Sequence, residues 1–223
     1  MSIRSEYYFT SADHKTLIHV NQWTPLGQEI RGVVQIAHGV AEYGARYEAF
    51  AAYLCKNGYV VVANDHLGHG LSCVEGRPMV YLGDDNGWDN VVADMESIRA
   101  RTAKVFPGKP YFLFGHSMGS FMARTLLAKH PDSGICGAVI CGTAWMPDAV
   151  IGAGKLFADM ICKMSGEQKL SKLLQIMMFG SYNKKIEHPK TPCDWLSRDR
   201  KIVDTYVSDP LCGFIPSAGL VRS

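Results

Sequence analysis

Several things that would direct a chain to a particular class are missing from this sequence. It has no stretch near the roughly 20 consecutive apolar residues that a membrane-spanning helix requires. Its first residues, MSIRSEYYFT, hold no apolar core of an export signal, which predicts a cytoplasmic protein with no transmembrane segment. Neither sign of charge prevails: 23 lysines and arginines against 21 aspartates and glutamates leave a net charge of +2. That balance is too even to mark nucleic acid or an anionic membrane as the main partner. The seven cysteines (Cys55, Cys73, Cys136, Cys141, Cys162, Cys193 and Cys212) are odd in number and contain no CxxC pair. They read as reduced, buried thiols rather than a disulfide frame or a zinc site. There is no G-x-x-x-x-G-K-[ST] loop, and the glycines of residues 64–72 break the G-x-G-x-x-G pattern at Cys73. Nucleotide phosphate binding is therefore unsupported, and no cofactor is implied.

What is present is a core-forming chain of 223 residues, 47% hydrophobic and 20% charged, enough for one large domain or a domain with an insertion. Residues 6–10 and 15–23 read as two strands joined by the polar turn Ser11-Ala12-Asp13-His14. Strand patterns at 33–37, 59–63, 111–114 and 137–141 then alternate with helix patterns at 47–56, 88–105 and 117–130. Residues 59–63, Tyr-Val-Val-Val-Ala, are apolar throughout, as suits a parallel strand covered on both faces. The alternation predicts an α/β fold with a mainly parallel sheet, a leading antiparallel hairpin and right-handed crossovers. Residues 1–145 form the expected core. Residues 146–211 read as an inserted helical segment without a convincing strand, and residues 212–223 as a return toward the core.

Chemistry concentrates at Gly115-His116-Ser117-Met118-Gly119, which follows a strand pattern and opens a helix pattern. A serine that attacks a carbonyl must project from a tight, strained turn, and glycines on either side remove the Cβ clashes there. The helix that follows aims backbone N–H groups at a developing oxyanion. Ser117 is the expected nucleophile. His38-Gly39 ends the earlier strand at 33–37, and Val40 N–H and Met118 N–H are the expected oxyanion donors. Gly115, His116, Gly119, His38 and Gly39 shape the two turns. His38, His66, His69 and His116 share the ends of neighbouring strands. They could converge on a metal, but no carboxylate or cysteine is spaced to complete a site, so loop-shaping is preferred and no metal is assigned. In the inserted segment, Phe157, Met160, Ile161 and Met177 are candidates to line an acyl pocket, while most of its other apolar residues are expected to pack it onto the core.

The strings HGVAEYGARY, NDHLGHGLS, GHSMGS and SDPL, met in that order, resemble the monoacylglycerol lipase and lysophospholipase branch of the α/β-hydrolase fold. The resemblance implies a helical cap after the sixth strand, where residues 146–211 fall, and an acyl-serine formed on Ser117. The implied partner is a small hydrophobic ester of monoacylglycerol or lysophospholipid type, with transient contact of the cap with a lipid surface. It also implies a triad in the chain order Ser, acid, His, the last two beyond further strands. Only His130 and His188 lie downstream of Ser117 and neither follows a strand pattern, so the C-terminal strands are expected to be missing and the sequence to belong to a longer chain. Thioesterases and aminopeptidases share the elbow, an acyltransferase would use the same acyl-serine, and a degenerate binding module would keep the pocket without the base.

Overall fold

The computed structural model describes residues 1–83 and 86–222. Strands β1 (Ser2–Thr10) and β2 (Leu17–Pro25) form the expected hairpin, with Thr10 opposite Leu17. Its turn is closed by Asp13, whose carboxylate accepts the Lys15 and Thr16 N–H groups, each at 2.8 Å. Four more strands complete the sheet: β3 (Gly32–Ala37), β4 (Tyr59–Asn64), β5 (Tyr111–His116) and β6 (Ile135–Cys141), in the order β1-β2-β4-β3-β5-β6. β2 pairs antiparallel with β4, whereas β4, β3, β5 and β6 run parallel. The chain steps from β3 outward to β4 and then back across to β5. The crevice at the carboxyl ends of β3 and β5 therefore lies at the switch in strand order, where open α/β sheets place their ligands.

Helices α1 (Glu48–Lys56), α2 (Gly87–Val105) and α3 (Met118–Lys129) cover the sheet. Alternation within β4 divides the core: Val60 and Val62 join Val91, Met95, Ile98, Met122 and Leu126 on one side, while Val61 and Ala63 join Trp23, Ile36 and Ala51 on the other. All four of these β4 residues are fully buried. This accounts for a strand without polar alternation.

After β6 come α4 (Asp148–Ser165), α5 (Lys172–Phe179), α6 (Arg200–Ser208) and the short α7 (Ala218–Arg222). Two expectations are corrected here. Cys136 and Cys141 are exposed, because β6 is the edge strand and its alternating side chains leave residues of both faces uncovered. The apolar residues after β6 pack less than expected. Leu174 is buried with Cys162 and Ala218, but Leu156, Met164, Leu173 and Met177 are exposed. The reason is that α4 packs chiefly on the small α7 rather than on the sheet.

Candidate active site

The β5-to-α3 turn is the tight elbow its sequence predicts. Ser117 has φ 51° and ψ −118°, a sparsely populated conformation that costs a non-glycine residue about 1–3 kcal/mol. Hydrogen bonds hold it: Ser117 N–H donates to the Cys141 carbonyl at 2.9 Å, and the Ser117 carbonyl accepts Ser120 N–H at 2.9 Å and the Ser120 hydroxyl. The flanking glycines are required by space. A Cβ at Gly115 would lie 2.5 Å from the Gly119 carbonyl, and one at Gly119 would collide with the Ala37 carbonyl. Met118 opens α3, so its N–H has no partner within the helix and the positive end of the helix faces the turn.

The turn after β3 comes up against this elbow. A Cβ at Gly39 would lie 3.2 Å from Ser117 Cβ and 3.4 Å from His116 Nδ1. Gly39 N–H is occupied, donating to Glu42 Oε1 at 2.6 Å. The same oxygen accepts the Tyr47 hydroxyl at 3.0 Å and lies 3.3 Å from His116 Nδ1. Glu42 thus joins the two turns. Burial alone would raise its carboxyl, but the hydrogen bonds from His116 and Gly39 outweigh this and hold it at about 2. Among the described residues neither Val40 N–H nor Met118 N–H donates a hydrogen bond. Ala41, one residue on, has φ 56°.

Below the turns lie three buried histidines. His38 Nδ1 donates to the Gly39 carbonyl at 2.7 Å, and its Nε2 accepts His66 N–H at 3.0 Å, which fixes the neutral tautomer. The His38 and His66 rings are 4.0 Å apart and the His38 and His69 rings 5.3 Å apart. Burial lowers all three, His66 to about 3. His116 stands apart, turned to Glu42. Among the described residues no group of three or more His, Cys, Asp or Glu side chains is arranged to hold a metal. Asp65 beneath them ties the loops together, accepting Gly44 N–H at 2.8 Å and Leu71 N–H at 2.9 Å and facing His19 Nδ1 at 3.0 Å.

A cleft of about 350 Å3 opens over Ser117, with Gly39, Val40 and His116 beside it. Its walls are largely apolar: Ile176 and Phe179 from α5, then Trp195, Leu196, Tyr206 and Phe214. Phe179 and Trp195 stack, with ring centres 6.2 Å apart and planes 8° from parallel. The pocket residues expected from the sequence are not those observed. Phe157 and Ile161 pack against Cys162, Leu174 and Ala218, while Met160 and Met177 are exposed. The phase of α5 explains the miss, because it turns Gln175, Ile176 and Phe179 toward the cleft and Leu174 toward α4 and α7. Glu42, Arg46 and Tyr206 also face the cleft without an assignment from sequence. Only the acid three residues after Gly39 offered a local sign. Ser117 Oγ has no hydrogen bond among the described residues; His130 caps the end of α3, and His188 lies in an exposed loop.

A family profile described as serine aminopeptidase, S33, matches residues 28–223. The monoglyceride lipase of Homo sapiens is 30% identical over 189 residues, 85% of this chain and 54% of that protein. The monoacylglycerol lipase of Mycolicibacterium smegmatis is 29% identical over 226 residues, 100% of this chain and 70% of that protein. This chain thus spans about half the length of the human relative. Among solved structures, a thermostable carboxyl esterase from Bacillus coagulans, in complex with glycerol, aligns with a TM-score of 0.87 at 30% identity, covering 100% of this chain and 72% of the esterase. Because the profile runs through the β3 turn, the elbow and the helices beyond, the chain belongs to the serine aminopeptidase S33 family, within the monoacylglycerol lipase branch of the α/β hydrolases.

Proposed function

We propose that this chain carries the acylation site of a serine hydrolase that cleaves carboxylic esters of lipid-like, monoacylglycerol or lysophospholipid type. One observation carries this reading. At the bottom of an apolar cleft, a strained Ser117 has a hydroxyl free of hydrogen bonds among the described residues, beside two backbone N–H groups likewise unpartnered among them. Ser117 Oγ attacks the ester carbonyl, and the carbonyl π electrons move to oxygen. Val40 and Met118 N–H groups hold that oxyanion. Collapse expels the alcohol, its oxygen taking up the proton that Ser117 Oγ gave up, and leaves an acyl-serine, which water then cleaves to the acid and free Ser117. The wall of Ile176, Phe179, Trp195 and Phe214 takes the acyl chain. Residues 146–211 act as a cap over the cleft, and the exposed apolar residues of α4 and α5 make transient contact with a lipid surface. The lipase and esterase names of its relatives supply the substrate class.

A second reading is favoured by the absence, among the described residues, of a histidine bonded to Ser117 Oγ: a hydrolase-like pocket that binds an acyl ligand without turnover. The proton of Ser117 needs an acceptor before the hydroxyl becomes a useful nucleophile. A fluorophosphonate probe separates the two. The hydrolase reading expects one covalent adduct by intact mass, lost in Ser117→Ala. An unmodified wild-type protein would overturn it in favour of the binding pocket.

A further inference from the structure

The turn after β3 is gripped from far along the chain. Ala41 keeps its left-handed backbone, a conformation that a residue with a Cβ holds only when its surroundings fix it. Two donors reach the Ala41 carbonyl: the Tyr206 hydroxyl at 3.0 Å and Gly213 N–H at 3.0 Å. Tyr206 is buried in the last turns of α6, and the Arg46 guanidinium lies over its ring at 4.8 Å from the centre. Arg46 in turn pairs with Glu42 at 3.4 Å, and the Tyr43 hydroxyl donates to Asp209 at 2.8 Å. The stretch from 206 to 213 therefore clasps residues 41–46, directly next to Val40 and its N–H.

We propose that Tyr206 is a positioning residue for the oxyanion turn: its hydroxyl, together with Gly213 N–H, fixes the Ala41 carbonyl and so the direction of Val40 N–H beside Ser117. This rests on the reading of Val40 as an oxyanion donor. It couples the helical segment after β6 to the reaction through one carbonyl rather than through contact with substrate. When α6 shifts, the donor beside Ser117 shifts with it. Interactions of this kind act on the charged tetrahedral state more than on the neutral ester, so their loss lowers kcat before it raises KM.

The test is Tyr206→Phe, which removes one hydroxyl and keeps the ring under Arg46. Tyr43→Phe is its control, removing a hydroxyl from the same clasp without touching Ala41. Hydrolysis of a p-nitrophenyl ester and amide hydrogen exchange over residues 38–44 are measured on both. The expected result for Tyr206→Phe is a 3- to 10-fold fall in kcat with KM within twofold, and faster exchange in the turn. Tyr43→Phe should stay within twofold of wild type in kcat. Unchanged exchange with unchanged kcat in Tyr206→Phe would overturn the proposal. So would a raised KM with unchanged kcat, since Tyr206 would then be touching substrate, and so would an equal loss of kcat in Tyr43→Phe. A wild-type protein that neither labels at Ser117 nor hydrolyses the ester would instead overturn the hydrolase reading, and this inference with it.

Discussion

A Cβ at Gly119 would run into the carbonyl oxygens of Ala37 and His38. The end of β3 and the start of α3 approach as closely as they do only because position 119 carries no side chain. Since both obstacles are backbone, no rotamer change relieves the clash, and one of the two turns must move. Gly119→Ala is therefore expected to destabilise the fold by about 3 kcal/mol or more and to abolish labelling of Ser117. Gly154 offers the opposite case. It stands inside α4, and a methyl group added there would meet nothing within 4 Å, so Gly154→Ala should gain about 0.5–1 kcal/mol through helix propensity alone. Urea midpoints of the two variants against wild type check both signs. If Gly119→Ala unfolds at the wild-type midpoint, β3 and α3 are not in the close contact that these distances require.

The hairpin of β1 and β2 is docked onto α2 through one buried carboxyl. Asp94 accepts Ala12 N–H at 2.7 Å and the Ser11 hydroxyl at 2.8 Å, yet burial outweighs both and raises it to about 6. A carboxyl raised in the folded state favours folding when protonated, so its contribution is complete below its unfolded value and is lost as pH rises through about 6. Asp94→Asn keeps an acceptor and removes the charge. It should stabilise the protein by about 3 kcal/mol at pH 7.5 and by only about 1 kcal/mol at pH 4.5. Denaturant titrations at the two pH values check this, and an equal gain at both would mean that the charge is not the cost. Elements such as these were legible because their signals are local: the all-apolar β4, the glycines and serine of the elbow, the Asp13 turn. The pocket face of α5 was not, since its sequence offers apolar residues all round and periodicity says nothing of which neighbour takes which side. Nor was the bond from Tyr206 to Ala41, which spans 165 positions and leaves no local pattern at either end.

Across the whole molecule, the least accommodating feature toward acid is the stack of His38, His66 and His69 at the carboxyl ends of β3 and β4. All are buried and neutral, and each is held by hydrogen bonds that suit the neutral ring. Glu42 and Asp65 face them, and both carboxyls lie below their ordinary values. Even so, desolvation and the mutual repulsion of the rings prevail. A histidine lowered in the folded state contributes stability that is complete above its unfolded value near 6.5 and lost as pH falls toward the folded value. Between pH 7.5 and 5.5 His66, held at about 3, is expected to cost about 1 kcal/mol, and His38 and His69 act in the same direction. Protonation of Asp94 returns about 1 kcal/mol over the same range. His19, raised by Asp65 and Glu6 against its own burial, acts in the same direction as Asp94. The net expectation is a protein less stable at pH 5.5 than at pH 7.5, because three lowered rings outweigh one raised carboxyl and one raised ring. The loss should be larger in Asp94→Asn, where the opposing carboxyl is gone. Urea unfolding at the two pH values decides it: a midpoint that holds steady or rises on acidification in the Asp94→Asn protein would mean that the three rings already carry or share a proton at neutral pH.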